Sequence, residues 1–278
     1  MTPGVHRMKL GAMEVIALSD GHLDFAPENL RFDPEAARAL LVGSTAGYPP
    51  RIGVNCFVLR TAGRCALVDT GAGDSMGASL GALPGRLAAA GIDQGEIDTV
   101  LLTHIHPDHS NGLATAKGAA RFAGAELVVH ADDIAFWCDP AKQAEGPEPL
   151  QQRRAMAVRQ TGAYADRLRP FAAEAEVFPG VTALPHPGHT PGHSGYLLAS
   201  EGETLMIWGD TVHIAAVQVP HPEATVAFDI DPQAAVASRR RMFDRVATDG
   251  LAVLGMHLGF PGLARLERSG DGYRLVAG

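Results

Sequence analysis

The chain reads as an α/β protein of two mixed β-sheets flanked by helices, an αββα sandwich. Strand-like apolar runs occur in both halves of its 278 residues. Each half also carries its own helical segments, which favours two sheets with helices outside over one parallel sheet. Neither G-x-G-x-x-G nor a Walker loop is present, so a nucleotide-binding doubly wound sheet has no support. With 46% hydrophobic and 19% charged residues, the composition permits an extensive core and argues against disorder. The length suits one domain spanning residues 1–278.

The elements follow in order. Residues 12–18 predict an opening strand. Asp33-Pro34-Glu35 starts a short helix, an N-cap followed by proline. Residues 54–59 and 64–69 predict two strands joined by a turn at Ala62-Gly63. A helix over 80–90, ended by Gly91, precedes a strand at 99–103. A helix is expected after Gly112, then a strand at 126–130. A helix over 131–138 carries Phe136 and Trp137, and a long helix over 148–169 follows. Past Pro170 come short strands at 181–184, 195–199 and 205–208, each leading into a His- or Asp-bearing loop. A last helix over 232–247, capped by Asp231, precedes strands at 251–255 and 263–276.

The chemistry concentrates where the apolar run Val100-Leu101-Leu102 ends. There His104-Ile105-His106-Pro107-Asp108-His109 places three imidazoles and a carboxylate within six residues. Neutral imidazole nitrogens and carboxylate oxygens are ligands that zinc and neighbouring divalent metals accept. Closed structural zinc sites favour thiolates, so this donor set points to a catalytic metal. Three later positions also sit at predicted strand ends: His189 in Gly188-His189-Thr190-Pro191-Gly192-His193, Asp210 after Trp208-Gly209, and His257 after Gly255-Met256. Strand-end loops converge on one edge of a layered sheet, so these residues can meet. His186 and His193 read as turn residues beside the ligand loop. His6, His22, His130 and His221 read as ordinary surface or core histidines.

The net charge of −8 and the lack of any basic block argue against nucleic acid or an anionic membrane as partner. No apolar stretch reaches the ~20 residues of a membrane span, and the N-terminus has no signal-like apolar region. The expected location is cytoplasmic. Cys56, Cys65 and Cys138 lack C-x-x-C spacing and read as small buried residues of a reducing compartment.

Taken together, Thr103-His104-x-His106-x-Asp108-His109, then Gly188-His189-Thr190-Pro191-Gly192-His193, Gly209-Asp210 and the late His257 resemble the metallo-β-lactamase superfamily. The flanking segments are more specific. They are Gly4-Val5-His6-Arg7-Met8-x-Leu10-Gly11, Ala17-Leu18-Ser19-Asp20-Gly21, Leu67-Val68-Asp69-Thr70-Gly71, Ala215-Ala216-Val217-Gln218 and His257-Leu258-x-Phe260-Pro261-Gly262. These resemble the methyl parathion hydrolase and quorum-quenching lactonase group over essentially the whole chain.

That resemblance implies one metal ion held by His104, His106 and His189. A second would be held by Asp108, His109 and His257, with Asp210 bridging and Asp69 orienting ligands from behind. It implies two divalent ions, zinc foremost with cobalt, manganese or iron as alternatives. A hydroxide shared between them would open lactones of the N-acyl homoserine type, with phosphotriester hydrolysis as a side activity. Primary organophosphate hydrolysis, another esterase or thioesterase activity, and an inactive metal-binding scaffold are the alternatives. Asp108 and His213 are the expected catalytic side chains. His213 stands where related lactonases place a tyrosine, so it could donate to the substrate or act as an acid to the leaving alkoxide. Phe136, Trp137 and His213 are the expected pocket residues. The partners implied are a small lactone or ester substrate and a second copy in a homodimer.

Overall fold

The structure, a computed structural model, describes residues 2–270 and 272–277. The first half contains β1 (Val5–Leu10), β2 (Met13–Asp24), β3 (Leu30–Arg31), α1 (Pro34–Val42), β4 (Arg51–Thr61), β5 (Arg64–Val68), α2 (Leu83–Ala89) and β6 (Thr99–Leu101). Then come α3 (Pro107–Ser110), β7 (Glu126–His130), α4 (Ala131–Trp137), α5 (Glu148–Gly162) and β8 (Leu168–Phe171). The second half contains β9 (Ala175–Phe178), β10 (Val181–Pro185), β11 (Ser194–Ser200), β12 (Glu203–Ile207), α6 (Ala215–Gln218) and β13 (Thr225–Val226). It closes with α7 (Pro232–Asp249), β14 (Ala252–Leu254), β15 (Leu263–Ser269) and β16 (Gly272–Ala277).

Two seven-stranded sheets result, ordered β1-β2-β4-β5-β6-β7-β8 and β16-β15-β14-β12-β11-β10-β9, while β13 and β3 pair separately. Both large sheets are mixed. β5, β6, β7 and β8 run parallel, as do β12 and β14, and the remaining neighbours are antiparallel. The expected αββα architecture is therefore present.

Strand alternation explains the layering. On β2, Val15 and Ala17 pack in the core shared with Phe178, Ala183, Leu198 and Ile207 of the other sheet. Their neighbours Ile16 and Leu18 face the opposite way, against Leu83 and Leu87 of α2, Trp137 of α4 and Ala157 of α5. The second sheet repeats the device: Met206 and Val253 turn outward to Met242, Phe243 and Val246 of α7. Each such fully buried side chain contributes roughly 1.5–3 kcal/mol relative to exposure.

Several elements differ from the sequence expectation. The opening strand pairs with β1, an unexpected partner, in a tight hairpin whose Gly11 has φ +54°. No helix follows Gly112. Leu113 and Phe122 are buried instead, and Tyr164 ties both, its hydroxyl donating to Leu113 O and accepting from Phe122 N. The helix expected over 148–169 stops at Gly162, and Leu168–Phe171 joins the parallel edge as β8. The strand expected over 263–276 is the β15–β16 hairpin. The turn at Ala62-Gly63 forms as expected, with both residues at positive φ (52° and 74°), the backbone that suits a two-residue hairpin.

Charges clasp the parallel edge. Arg64 bonds Asp98, and Arg169 donates to Glu126 from Nε and Nη2 at 2.8 and 3.0 Å. The Arg169 guanidinium beside Glu126 holds its carboxyl below the ordinary value. A lowered folded value means stabilisation present above the ordinary carboxylate pKa and lost as pH falls through the folded one. These groups are partly exposed, so the clasp is worth at most about 1 kcal/mol. Glu126→Gln should lower the urea midpoint slightly at neutral pH and flatten its decline between about pH 5 and 3. An unchanged acid profile would show that the clasp contributes nothing.

Candidate metal centre

The donor residues collect at one edge because the strands that carry them end there. Asp69 follows β5, and His104 to His109 follow β6, with His109 on α3. His189 lies between β10 and β11, Asp210 in the 3-10 turn Gly209–Thr211 after β12, and His257 beyond β14. Two carboxylates brace these loops from behind. Asp133 accepts from Ile105 N and Gly192 N, both at 2.7 Å, tying the His106 loop to the His189 loop. Asp20 accepts from the backbone N–H groups of Ala72, Gly81 and Leu83, fixing the segment after Asp69. Gly188 lets the His189 loop approach α7: it has φ +136°, and a Cβ there would lie 2.1 Å from Ala235 N.

All seven expected ligands meet. His106 Nδ1 lies 3.0 Å from His104 Nε2 and 2.9 Å from His189 Nε2. Asp108 Oδ2 lies 3.4 Å from His109 Nε2 and 3.5 Å from His257 Nε2. Asp210 Oδ2 stands between the groups, 3.6 Å from His104, 3.4 Å from His189, 3.3 Å from His109 and 3.0 Å from His257, each at Nε2. Two donors each ~2.1 Å from one cation sit about 3 Å apart, so these spacings suit shared ions.

The outer nitrogens show that the inner lone pairs are free for metal. His189 Nδ1 faces Asp229 Oδ1 at 2.8 Å, His109 Nδ1 faces Asp69 Oδ2 at 2.7 Å, and His257 Nδ1 faces Gly53 O at 2.8 Å. His104 Nδ1 meets the Thr103 hydroxyl at 3.0 Å, which itself donates to Asp69 Oδ2 at 2.8 Å. Each acceptor takes the proton of the outer nitrogen and turns an unprotonated nitrogen inward. Facing lone pairs repel unless a cation lies between them. His109 Nε2 and Asp210 Oδ1 are moreover buried with no hydrogen-bond partner among the described residues. The donor set fits divalent metal.

The electrostatics point the same way. Burial would raise the Asp210 carboxyl, but His109, His257, His104 and His213 outweigh it and hold it well below the ordinary value. Burial lowers His189, yet the bonds to Asp210 and Asp229 carry it to about 9. Burial likewise opposes His109, which Asp210, Asp108 and Asp69 raise well above the imidazole range. Without metal, protons on these imidazoles supply the positive charge that the carboxylates require. Asp69 orients one ligand of each group from a backbone at φ +56°, a conformation rare outside glycine and found at functional sites.

A cavity of about 270 Å³ opens on this cluster, with Leu23, Phe25, Ile52, Met76 and Phe228 on its apolar wall. His106, Asp108, Asp210, His213 and His257 form its floor. His213 is where the sequence suggests, its Nε2 3.1 Å from Asp210 Oδ2 and its ring stacked on His257. Burial pushes it down to about 4, so at neutral pH it is an uncharged imidazole.

Phe136 and Trp137 are corrections. Neither lines this cavity. Trp137 is fully buried in the layer behind the first sheet, edge-on to His106, and Phe136 packs on Trp137 under Arg154. On α4, Trp137 enters the core and the adjacent Phe136, half-buried, packs against it. His193 holds the turn: its Nδ1 faces His186 O at 3.0 Å and its Nε2 accepts from Asp210 N at 2.8 Å.

Sequence reading missed Asp229 and Asp133, and it placed Asp20 in a resembling segment without giving it a role. A signal existed for Asp229, a lone carboxylate between Phe228 and Ile230, which is costly to bury unpaired. It is also absent from the short ligand patterns because it acts through His189.

The family model described as Metallo-beta-lactamase superfamily matches residues 49–257. The chain belongs to the metallo-β-lactamase superfamily. Among solved structures, the hydrolase AbOPH in the beta lactamase superfamily superimposes with a TM-score of 0.91 at 28% identity, covering 100% of this chain and 98% of that one. AidC, a dizinc quorum-quenching lactonase in complex with a product, gives 0.90 at 24% identity, covering 99% and 97%. A curated relative, the atrochrysone carboxyl ACP thioesterase of Passalora fulva, is 28% identical over 200 residues. That match covers 72% of this chain and 49% of the relative, so the chain spans about half the relative's length.

Asp229→Ala should weaken metal binding about 10–100-fold in a chelator competition, because His189 loses the group that fixes its tautomer. Wild-type affinity in that variant would remove Asp229 from the metal centre.

Proposed function

We propose that the protein is a metal-dependent hydrolase that opens lactones, with N-acyl homoserine lactones as the leading class, within one catalytic domain. The observation that carries this reading is Asp210 Oδ2, within 3.0–3.6 Å of four imidazole nitrogens from both donor groups. One carboxylate so placed suits a pair of ions. His104, His106 and His189 would hold one, Asp108, His109 and His257 the other, with Asp210 shared. When bound, two divalent ions bring the pKa of water towards ~7 and polarise a carbonyl, supplying the nucleophile and electrophilic activation without a Ser or Cys.

The chain's own residues do the rest. Asp108 is held ionised and lines the cavity, so its carboxylate can accept a hydrogen bond from the attacking water and orient it. The apolar wall excludes bulk water from the scissile bond and receives an acyl chain. His213, uncharged, donates a hydrogen bond to the substrate carbonyl or departing oxygen. Its low basicity argues against the charged acid form as the resting state. Its Nδ1 lacks a hydrogen-bond partner among the described residues, and its Nε2 lies 3.1 Å from Asp210 Oδ2 without an aligned hydrogen bond, which leaves the imidazole available for that contact.

The lactonase reading draws support from the AidC fold match, and thioester hydrolysis from the thioesterase relative. A panel of lactones with graded acyl chains, thioesters and phosphotriesters, run on metal-quantified protein, separates them. Lactones should be turned over best, and thioester or phosphotriester turnover without lactone opening would reverse the assignment. His213→Ala should lower kcat/KM on the best lactone about a hundredfold, as loss of a transition-state donor does, with metal content unchanged. Loss of metal along with activity would make His213 a ligand instead, and full activity would leave it a wall residue.

A further inference from the structure

Arg153 lines the cavity that opens on the metal centre, and it has no role in the donor set. It is half-buried on α5, and among the described residues it makes no ion pair and no hydrogen bond. The neighbouring Arg154 is the contrast: buried, and bonded to Lys142 O and Glu145 O. The carboxylates of the cavity wall are already engaged. Asp24 pairs with Arg51 at 2.8 Å, while Asp108 and Asp210 face the imidazoles. The cavity thus combines metal donors, an apolar wall of Leu23, Phe25, Ile52, Met76 and Phe228, and one uncompensated guanidinium.

A guanidinium presents a planar fork of donors that fits a carboxylate through two parallel bonds. In a cavity partly shielded from water and salt, such a charge favours an anion over a neutral group. We infer that Arg153 determines specificity by binding a carboxylate that the substrate carries at the far end of a short apolar chain from its scissile carbonyl. The chain must be short because about 270 Å³ lies near the lower limit of ligand pockets. This inference rests on the hydrolase reading of the same site, and it sharpens the substrate class from a simple acyl compound to an acid-terminated one.

The test begins with binding. Metal-loaded full-length protein is titrated by calorimetry with glutarate, adipate and pimelate, each against the monocarboxylate of equal carbon number. One carboxylate can meet the metal centre in either member of a pair, so their ratio reads the second group. The best dicarboxylate should bind about five- to tenfold more tightly than its partner, the strength of one charge-assisted contact at a half-exposed site. That ratio should shrink with added salt and fall to about one in Arg153→Gln, with partial retention in Arg153→Lys. Equal affinities in the wild type, or an undiminished ratio in Arg153→Gln, would overturn the inference.

Turnover of N-adipoyl- and N-hexanoyl-L-homoserine lactone supplies the second arm. The wild type should favour the adipoyl compound through KM, and Arg153→Gln should abolish the difference between the two. If the binding ratio follows Arg153 but neither lactone is opened, the lactonase reading fails while the role of Arg153 stands. If both lactones are opened with no preference for adipoyl, the reverse holds.

Discussion

The structure turns on a buried carboxylate surrounded by imidazoles. Asp210 is 3% exposed, and burying it alone as an anion would cost several kcal/mol. Its compensation comes from His104, His109, His189 and His257, whose own outer nitrogens are occupied by Thr103, Asp69, Asp229 and Gly53 O. That arrangement fixes five side chains at once and leaves their coordinating atoms pointing at one another. It is a poor resting state without a cation and a good one with divalent metal among the donors. The buried polar groups are thus better explained as a metal cradle than as a contribution to stability.

The fold exists to hold that cradle in register. The two sheets share the apolar layer between β2, β4, β5 and their counterparts β10, β11 and β12, and the outer helices seal their other faces. At the strand ends the backbone would otherwise be free, and Asp133, Asp20 and His193 bind it with short side-chain bonds. Arg239 does the same beneath Asp210, its guanidinium donating to Thr211 O, Pro222 O and Ala224 O. A cavity then forms where the cradle meets the apolar residues of β2, β4 and the segment before α7. Its shape depends on loops whose positions are set by these hidden carboxylates.

How much was legible follows from how each residue acts. The αββα layering was readable because apolar runs with period two mark strands regardless of partner. The candidate donors were readable because His104 to His109 crowd into one turn and His189, Asp210 and His257 recur at strand ends. What acts through another residue left little local trace: Asp229 braces His189 while accepting from Val226 N, and Asp133 accepts from the backbone N–H groups of Ile105 and Gly192. Segment 113–125 misled because its apolar residues resemble a helix face, whereas long-range bonds from Tyr164 hold it as a loop. Phe136 and Trp137 misled because aromatic character does not say which side of a helix faces the substrate, and tertiary packing buried Trp137 and set Phe136 against it.

The central claim is that Asp210 lies between two metal ions. Anomalous diffraction from crystals of the zinc-loaded protein measures this directly. The account predicts two peaks about 3.5–4 Å apart, one beside His104, His106 and His189, the other beside Asp108, His109 and His257, with the Asp210 carboxylate between them. A single fully occupied peak that Asp210 does not touch, at zinc saturation, would contradict it.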